Sequence, residues 1–352
     1  MNNQQGFEIA SVAAGIYRRR AVLAVAAALL LMTLAAQAAP AVKAAGRAPV
    51  VLSMATEYPA TSMPGQGVTT FAELVEKKTR GAVTIKPSFD AAAGFKSGDM
   101  VDAVAARKVD AGDAFAGGMA NKYPIFAVSS LPFLADSLKK AVGLNKAAMP
   151  TYQKFFAEHG QKLLYTTPWP ASGIWSKAPV RSLADLQALN IRTYDNTSQA
   201  VMTRAGATAV NISFADAMPR IAAGDVNAVL SSGDGGAGRK LWEYLPRFTE
   251  INYAMPVSVA TMNLDAYKAL DPAARAAIDA AAAETEKAQW KRIETRLKEN
   301  YDTMRKNGVT IDTTVPAEVK QALTRASSGS VAEWKKANAP ASTVILNRFG
   351  AK

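Results

Sequence analysis

Whatever chemistry this chain performs is done without cysteine and with a single histidine among its 352 residues. The lack of Cys excludes a disulfide framework, a thiol nucleophile, a cysteine zinc site and a lipidated anchor. The one histidine ends the run Phe155-Phe156-Ala157-Glu158-His159-Gly160, which reads as a helix C-terminus with its glycine cap. A triad is therefore hard to assemble. Ser232-Gly233-Asp234-Gly235-Gly236 is not a nucleophile elbow, and neither a G-x-G-x-x-G after the first strand nor a phosphate-binding G-x-x-x-x-G-K-[ST] is present. Hydrolysis by a pair of carboxylates remains chemically possible, and so does recognition of an anion by a basic side chain. In Gln187-Ala-Leu-Asn-Ile-Arg-Thr-Tyr-Asp195, Arg192 closes what reads as a buried strand flanked by polar loops. A guanidinium there needs an anion, either Asp185 or Asp195 internally or a bound carboxylate, whose two oxygens match its parallel N–H donors. The run Ser231 to Gly236 brings backbone N–H groups close together, which suits an oxyanion or hydroxyl; a flexible surface loop is the other reading. Trp169 and Trp175 lie beside prolines in Thr167-Pro-Trp-Pro-Ala-Ser-Gly-Ile-Trp175, placed either as hinge packing or as a flat wall for a ligand.

Export is the next inference. Arg18-Arg19-Arg20 precede an apolar run from Ala21 to Ala36, and Ala36-Gln37-Ala38 supplies an A-x-A cleavage site. The pattern predicts a signal peptide over residues 1–38, cleaved near Ala38, and a periplasmic product. The run is short for a membrane span, which needs about 20 residues, although a retained anchor is the alternative. Three adjacent arginines leave both the general and the twin-arginine export routes open. The net charge is +12, of which the leader's three Arg and one Glu account for two. Lys and Arg are dispersed rather than gathered in one run, so a positive field attracting small anions fits better than nucleic acid.

The elements that must position Arg192 alternate strand and helix. Pro49–Ala55 reads as a strand, Thr56–Gly67 as a polar Gly/Pro loop, and Val68–Thr79 as an amphipathic helix stopped at Gly81. Val83–Pro87, Gly98–Arg107 and Val109–Ala116 continue as strand, helix and strand, the start of a parallel sheet with right-handed crossovers. Ligands in such sheets sit beyond the carboxyl ends of strands, here the loops Thr56–Gly67, Ala91–Gly98 and Ala116–Lys122. A second set runs from about Lys162 to Asn252, containing a capped turn at Ser182–Leu186 and helices at Ser198–Ala205 and Phe214–Ala223. Pro272–Asn307 reads as one very long helix or two abutting ones.

The segment from Lys177 to Arg192 resembles the K-P-I-x-x-x-x-D-L-x-G-L-K-I-R segment of the extracytoplasmic solute receptors of TRAP transporters, typified by the C4-dicarboxylate-binding P subunit. Phe71 to Lys86 is similar to that family's F-A-x-x-V-x-x-x-T-x-G-x-(I/V)-x-(I/V) opening, and Pro124 to Phe133 to its P-x-x-x-x-x-x-L-P-F-L. Lys108-Val-Asp-Ala-Gly112 and the helix Ala281 to Arg296 with Trp290 follow in family order. Each match alone is weak; their order and spacing from about Val50 to Asp312 make the resemblance specific.

The resemblance implies an α/β, two-domain periplasmic-binding-protein clamshell with a long helix in its C-terminal half. Domain I is expected over 48–172 and about 258–302, and domain II over 173–257 and about 303–345. It further implies a non-enzymatic mechanism of capture in which hinge closure around an organic acid replaces covalent chemistry, followed by delivery to the large and small membrane permease subunits, with no cofactor, no metal and a monomeric receptor. By position Arg192 takes the ligand carboxylate, Lys177 stands near a second basic group of relatives, and Phe214 matches a pocket aromatic whose alternative is plain core packing. Ser231 and Ser232 fall where relatives place an amide or acid facing the ligand. At Ala116-Gly117-Gly118-Met119, which puts Gly117 among the expected ligand contacts, some sugar-acid binders carry a carboxylate that reads an amine or hydroxyl, and no such acid stands here. Its absence points to a small, rather apolar monocarboxylate, such as a 2-hydroxy or 2-oxo acid with a branched or aromatic tail, over a sialic acid or a dicarboxylate. Binding proteins of ABC or tripartite tricarboxylate importers, and a carboxylate-acting enzyme, are the competing readings.

Overall fold

The computed structural model describes residues 48–350, and all of these but Ala48 lie in one compact unit. The leader expected over 1–38 lies outside the described residues. Eleven strands follow in order: β1 (Val50–Thr56), β2 (Val83–Ser88), β3 (Ala111–Phe115), β4 (Gln161–Pro168), β5 (Ser172–Ser176), β6 (Asn190–Thr193), β7 (Thr208–Asn211), β8 (Ala228–Ser232), β9 (Arg247–Thr249), β10 (Val257–Asn263) and β11 (Thr310–Asp312). They form two sheets, β2-β1-β3-β10-β4 and β11-β9-β5-β8-β6-β7. The expected parallel start is present in β2, β1 and β3, but β10 enters antiparallel between β3 and β4, so the sheet is mixed. The second sheet follows the same plan, with β6, β7 and β8 parallel and β5 antiparallel to β8 and β9. Each sheet is the core of one lobe of a two-domain clamshell.

The chain crosses between lobes at β4–β5 and again at β9–β10. Pro272–Lys306 forms one uninterrupted helix, with the Asp271 side chain capping Ala274 N. It packs on the helix Met63–Thr79 and on β4 in the first lobe, then on the helix Gly233–Gly238 and β11 in the second. The last two helices, Ser330–Ala337 and Ala341–Phe349, pack with the first lobe: Trp334, Ile345 and Leu346 join the cluster around Phe126, Tyr152 and Phe156. The expected extent of domain II, to about residue 345, takes in these helices, which pack on the first lobe instead. Amphipathic spacing cannot reveal which lobe a terminal helix covers.

The helix after β1 starts at Met63, five residues before the expected Val68, which shortens the expected loop to end at Ser62. Ser62 Oγ accepts from Gly65 N, and Pro64 occupies the first turn, where its missing N–H costs nothing. Glycines 65 and 67 hide this turn from a periodicity analysis. Packing demands them: a Cβ on Gly65 would lie 2.1 Å from the Pro59 carbonyl oxygen, and one on Gly67 2.7 Å from Gln289 Nε2.

One buried acid in this lobe has a measurable signature. Asp113, in the middle of β3 and fully buried, accepts from Thr56 Oγ1 at 3.2 Å, while its Oδ2 has no partner among the described residues. Burial pushes its carboxyl up to about 7. Because the folded value lies above the unfolded one near 3.9, its contribution to stability is complete below about pH 4 and is lost as pH rises through about 7. Asp113→Asn, which keeps the acceptor for Thr56, is therefore expected to raise the melting temperature by several degrees at pH 8 and hardly at all at pH 4. Thermal melts at the two pH values check this, and an equal shift at both would refute it.

Candidate functional site

Arg192 stands near the carboxyl end of β6, paired in register with Val210 of β7 and Val229 of β8. It is only 4% exposed. Its Nε donates to the Ile212 carbonyl at 2.9 Å, and the guanidinium lies over the Phe214 ring at 4.8 Å. Its terminal nitrogens make no hydrogen bond or ion pair among the described residues. Neither candidate internal partner is available. Asp195 forms no ion pair with it and caps the helix Asn196–Arg204, its Oδ1 accepting from Ser198 N and Oγ, and Asp185 accepts from Arg181 N at the surface. The internal salt bridge left open by the sequence therefore does not form. Burial pulls the Arg192 guanidinium below its ordinary value, and the neighbouring acidic groups of Tyr58 and Glu57 oppose that pull.

The guanidinium lines a narrow cavity between the lobes. Tyr58 and Phe115 line it from the carboxyl ends of β1 and β3, Trp169 from the first crossing, and Tyr194 and Phe214 from the second lobe. The rings hold one another edge-on: Tyr58 to Trp169 at 4.8 Å, Phe115 to Tyr194 at 5.2 Å and Phe115 to Trp169 at 6.2 Å. Ser172, Ser231, Ser232 and Gly235 complete the wall. Burial raises the Tyr58 and Tyr194 hydroxyls, keeping both neutral donors. An outer chamber of about 170 Å³ shares Tyr58, Phe115, Arg192, Tyr194 and Phe214 and adds Glu57, Lys96, Ser97, Asn121 and Ser213. The arrangement offers one bidentate cation inside a wall of aromatic faces and hydroxyls, suited to holding a small acid by its carboxylate.

Five of the eight residues singled out from sequence converge here: Arg192, Phe214, Trp169, Ser231 and Ser232. Trp169 Nε1 donates to Ser258 Oγ at 3.0 Å, which fixes the ring in the wall. Ser232 caps the helix Gly233–Gly238, accepting from Gly235 N at 3.1 Å. The glycine-rich stretch is thus a buried helix, which corrects the flexible-loop reading. The other three lie elsewhere. Trp175 is fully buried beneath that helix, donating to the Ser232 carbonyl at 3.1 Å and packing edge-on against Phe248. It is core, and it is the reason for Gly236, whose Cβ would fall 2.2 Å from the indole. Lys177 is exposed just beyond β5, on the edge away from the cavity lining. Gly117 is buried in the helix Ala116–Ala120, where a Cβ would meet the Phe115 ring at 2.4 Å; it makes room for a wall residue rather than for a ligand.

Tyr58, Phe115, Tyr194, Ser172 and Glu57 were not singled out from sequence. A signal existed for three of them. Tyr58 and Phe115 follow or end strands at their carboxyl ends, and Tyr194 stands two residues beyond Arg192, the spacing that keeps side chains on one face of an extended chain.

Polar contacts tie the lobes together around the cavity. Lys96 Nζ meets both Asp216 oxygens at 2.7 and 2.8 Å, Asn211 Nδ2 donates to Asn121 Oδ1 at 2.8 Å, and Arg239 Nη2 donates to the Glu57 carbonyl at 2.7 Å. Among the described residues no cluster of His, Cys, Asp or Glu is arranged to hold a metal ion, and no helix is long and apolar enough to cross a membrane.

Comparison with known proteins agrees with this geometry. Residues 54–337 match the family described as bacterial extracellular solute-binding protein, family 7. The extracytoplasmic solute receptor DctP7 of Bordetella pertussis, solved as binding pyroglutamic acid, is 26% identical with a TM-score of 0.81, covering 86% of this chain and 99% of its own. A marine metagenome TRAP solute-binding protein specific for pyroglutamate is also 26% identical, with a TM-score of 0.80 over 86% of this chain and 99% of its own. A TRAP periplasmic solute-binding protein from Sulfitobacter, solved with bound galacturonate, shares the fold at 18% identity and a TM-score of 0.77, covering 86% of this chain and all of its own. The buried arginine at the end of β6, the single helix spanning both lobes and the match over most of the chain lead to one assignment: this protein belongs to the family 7 extracellular solute-binding proteins, the extracytoplasmic solute receptors of TRAP transporters.

Proposed function

We propose that this receptor captures a small organic acid in the periplasm, holding its carboxylate on Arg192, and hands it as a monomer to the large and small subunits of a TRAP permease. The observation that carries the reading is a buried guanidinium whose terminal nitrogens have no protein partner and which lines the cavity between the lobes. Burying such a charge is unfavourable unless an anion completes it. Ligand contacts made to both lobes favour the closed arrangement over any open one. The cavity is small and ringed by aromatic side chains, which supports a compact monocarboxylate; two relatives at 26% identity bind pyroglutamic acid. Export of the mature chain after cleavage near Ala38 completes the reading. A purely binding role is supported by the fate of the one histidine, whose Nδ1 lies 2.7 Å from the Phe155 carbonyl and whose ring stacks on Phe155. The family assignment displaces the ABC and tripartite tricarboxylate alternatives.

The test is a thermal-shift and calorimetric screen of the mature protein, unfolded and refolded to strip co-purified ligand, against mono- and dicarboxylates with sugars and amino acids as controls. An acid at about 100 times its Kd is expected to add roughly 2.7 kcal/mol and several degrees. A stripped protein that responds to no acid sinks the proposal. For the acid that binds, Lys96→Met is expected to raise the dissociation rate by no more than about fivefold, because an exposed pair contributes little even across a mouth. Stopped-flow displacement measures it, and a change of a hundredfold would mean that the Lys96–Asp216 pair holds the lobes shut.

A further inference from the structure

The cavity contains a second unsatisfied charge, of opposite sign to Arg192. Glu57 follows β1 directly and is 2% exposed. Its Oε2 accepts from Ser97 N at 2.9 Å, and its Oε1 has no hydrogen-bond partner among the described residues. Both lobes hold the residue in place, Ser97 through the side chain and Arg239 through the main-chain carbonyl. Glu57 and Arg192 line the same outer chamber, and the carboxylate is near enough for its charge to act on the guanidinium. The other cation lining that chamber, Lys96, is engaged with Asp216, and Arg239, which lies over the Phe214 ring at 5.2 Å, donates to the Glu57 main-chain carbonyl rather than to the carboxylate.

A carboxylate only accepts and a guanidinium only donates. A buried carboxylate oxygen with no donor is destabilising until one arrives. We propose that Glu57 is the second ligand-reading group, accepting an N–H or O–H carried on the body of the acid whose carboxylate Arg192 holds. This rests on the receptor reading above and narrows it. Lactam acids and 2-hydroxy acids offer such a donor. A 2-oxo acid presents a carbonyl oxygen, which sets lone pairs against lone pairs, so of the two classes left open by the sequence the oxo acids are rejected. The acid that does this reading is not at Ala116–Met119, where the sequence comparison sought it, but at the end of the first strand.

The experiment compares matched probes by calorimetry on the refolded protein: L-pyroglutamate against 3-oxocyclopentane-1-carboxylate, in which CH₂ replaces the N–H, and 2-hydroxyisovalerate against 2-oxoisovalerate. In a pair that binds, the donor-bearing member is expected to bind at least about tenfold more tightly, as a hydrogen bond to a charged group implies. Glu57→Gln, which keeps the size of the side chain and an acceptor for Ser97 N, is expected to shrink that preference to about threefold or less, with the ligand-free melting temperature reporting its fold. Equal or reversed preference in the wild type, or a preference untouched by Glu57→Gln, overturns the role of Glu57 while leaving the carboxylate on Arg192. Failure of both pairs while another acid on the panel binds also overturns it; failure of every acid overturns the receptor reading as well.

Discussion

Arg192→Ala is expected to weaken binding of the cognate acid by about 10²–10³-fold while the ligand-free protein melts at the same temperature or higher. Truncating one partner of a buried, hydrogen-bonded charge pair costs roughly 2–5 kcal/mol, and each 1.4 kcal/mol is tenfold in Kd. The side chain is 4% exposed and makes one protein hydrogen bond, from Nε to the Ile212 carbonyl, so its removal breaks no ion pair within the protein, and the lost attraction for Glu57 offsets only part of the relief of desolvation. The same step relieves a desolvated cation, which is why stability is not expected to fall. Arg192→Lys restores the charge but not the fork, and a point donor at the end of a flexible stem recovers only part of the affinity. Calorimetry with ligand and thermal melts without it measure the two halves of this expectation. Unchanged affinity in Arg192→Ala would remove the carboxylate from this site.

Asp234→Ala carries the largest expected effect on stability, a loss of about 3–5 kcal/mol in denaturant unfolding. Asp234 is fully buried at the start of the helix Gly233–Gly238. Its Oδ1 accepts from Arg296 Nε and from Asn300 Nδ2 on the long helix, and its Oδ2 accepts from Met63 N at 2.7 Å, the first residue of the helix after β1. One carboxylate thus joins the second lobe, the first lobe and the helix that spans both. Alanine leaves the Arg296 guanidinium, 12% exposed, without its main partner and the Met63 N–H without an acceptor. Arg296 keeps the Thr61 carbonyl and the partly exposed Glu299, but its buried Nε loses its acceptor, so adding Arg296→Met to Asp234→Ala is expected to restore part of the loss. A double variant no more stable than the sum of its single changes would show that the pair is not coupled.

Much of the site was legible because it follows from strand direction. Arg192 stands at the carboxyl end of a short strand, where open α/β sheets place ligands, while whether Asp185 or Asp195 neutralises it was left for the structure to decide. Phe214 was reached through resemblance and lies under the guanidinium. Trp175 shows the limit of that reasoning. A tryptophan beside the crossing is equally suited to a wall or a core, and only the alternation of β5 decides; Gly236 opposite confirms the choice by making room for the indole. Lys177 failed for the same reason, since a residue at a strand end can face either way. Glu57 was missed because nothing in Thr56-Glu57-Tyr58 distinguishes a buried acid from a loop acid at the surface.

The sequence by itself determined the alternation of strand and helix, a long helical stretch over 272–307, the absence of thiol chemistry, and the arginine that needs an anion, because these rest on residue type and on spacings of two and 3.6 residues. The tertiary structure alone decided that β10 enters antiparallel, that the last two helices return to the first lobe, and that Tyr58, Phe115, Tyr194 and Glu57 share one cavity with Arg192. Glu57 and Arg192 are 135 residues apart in the chain. Local physics fixes which groups are present and which way each element faces. Whether two such groups meet depends on how the two lobes close on each other, which no local spacing records.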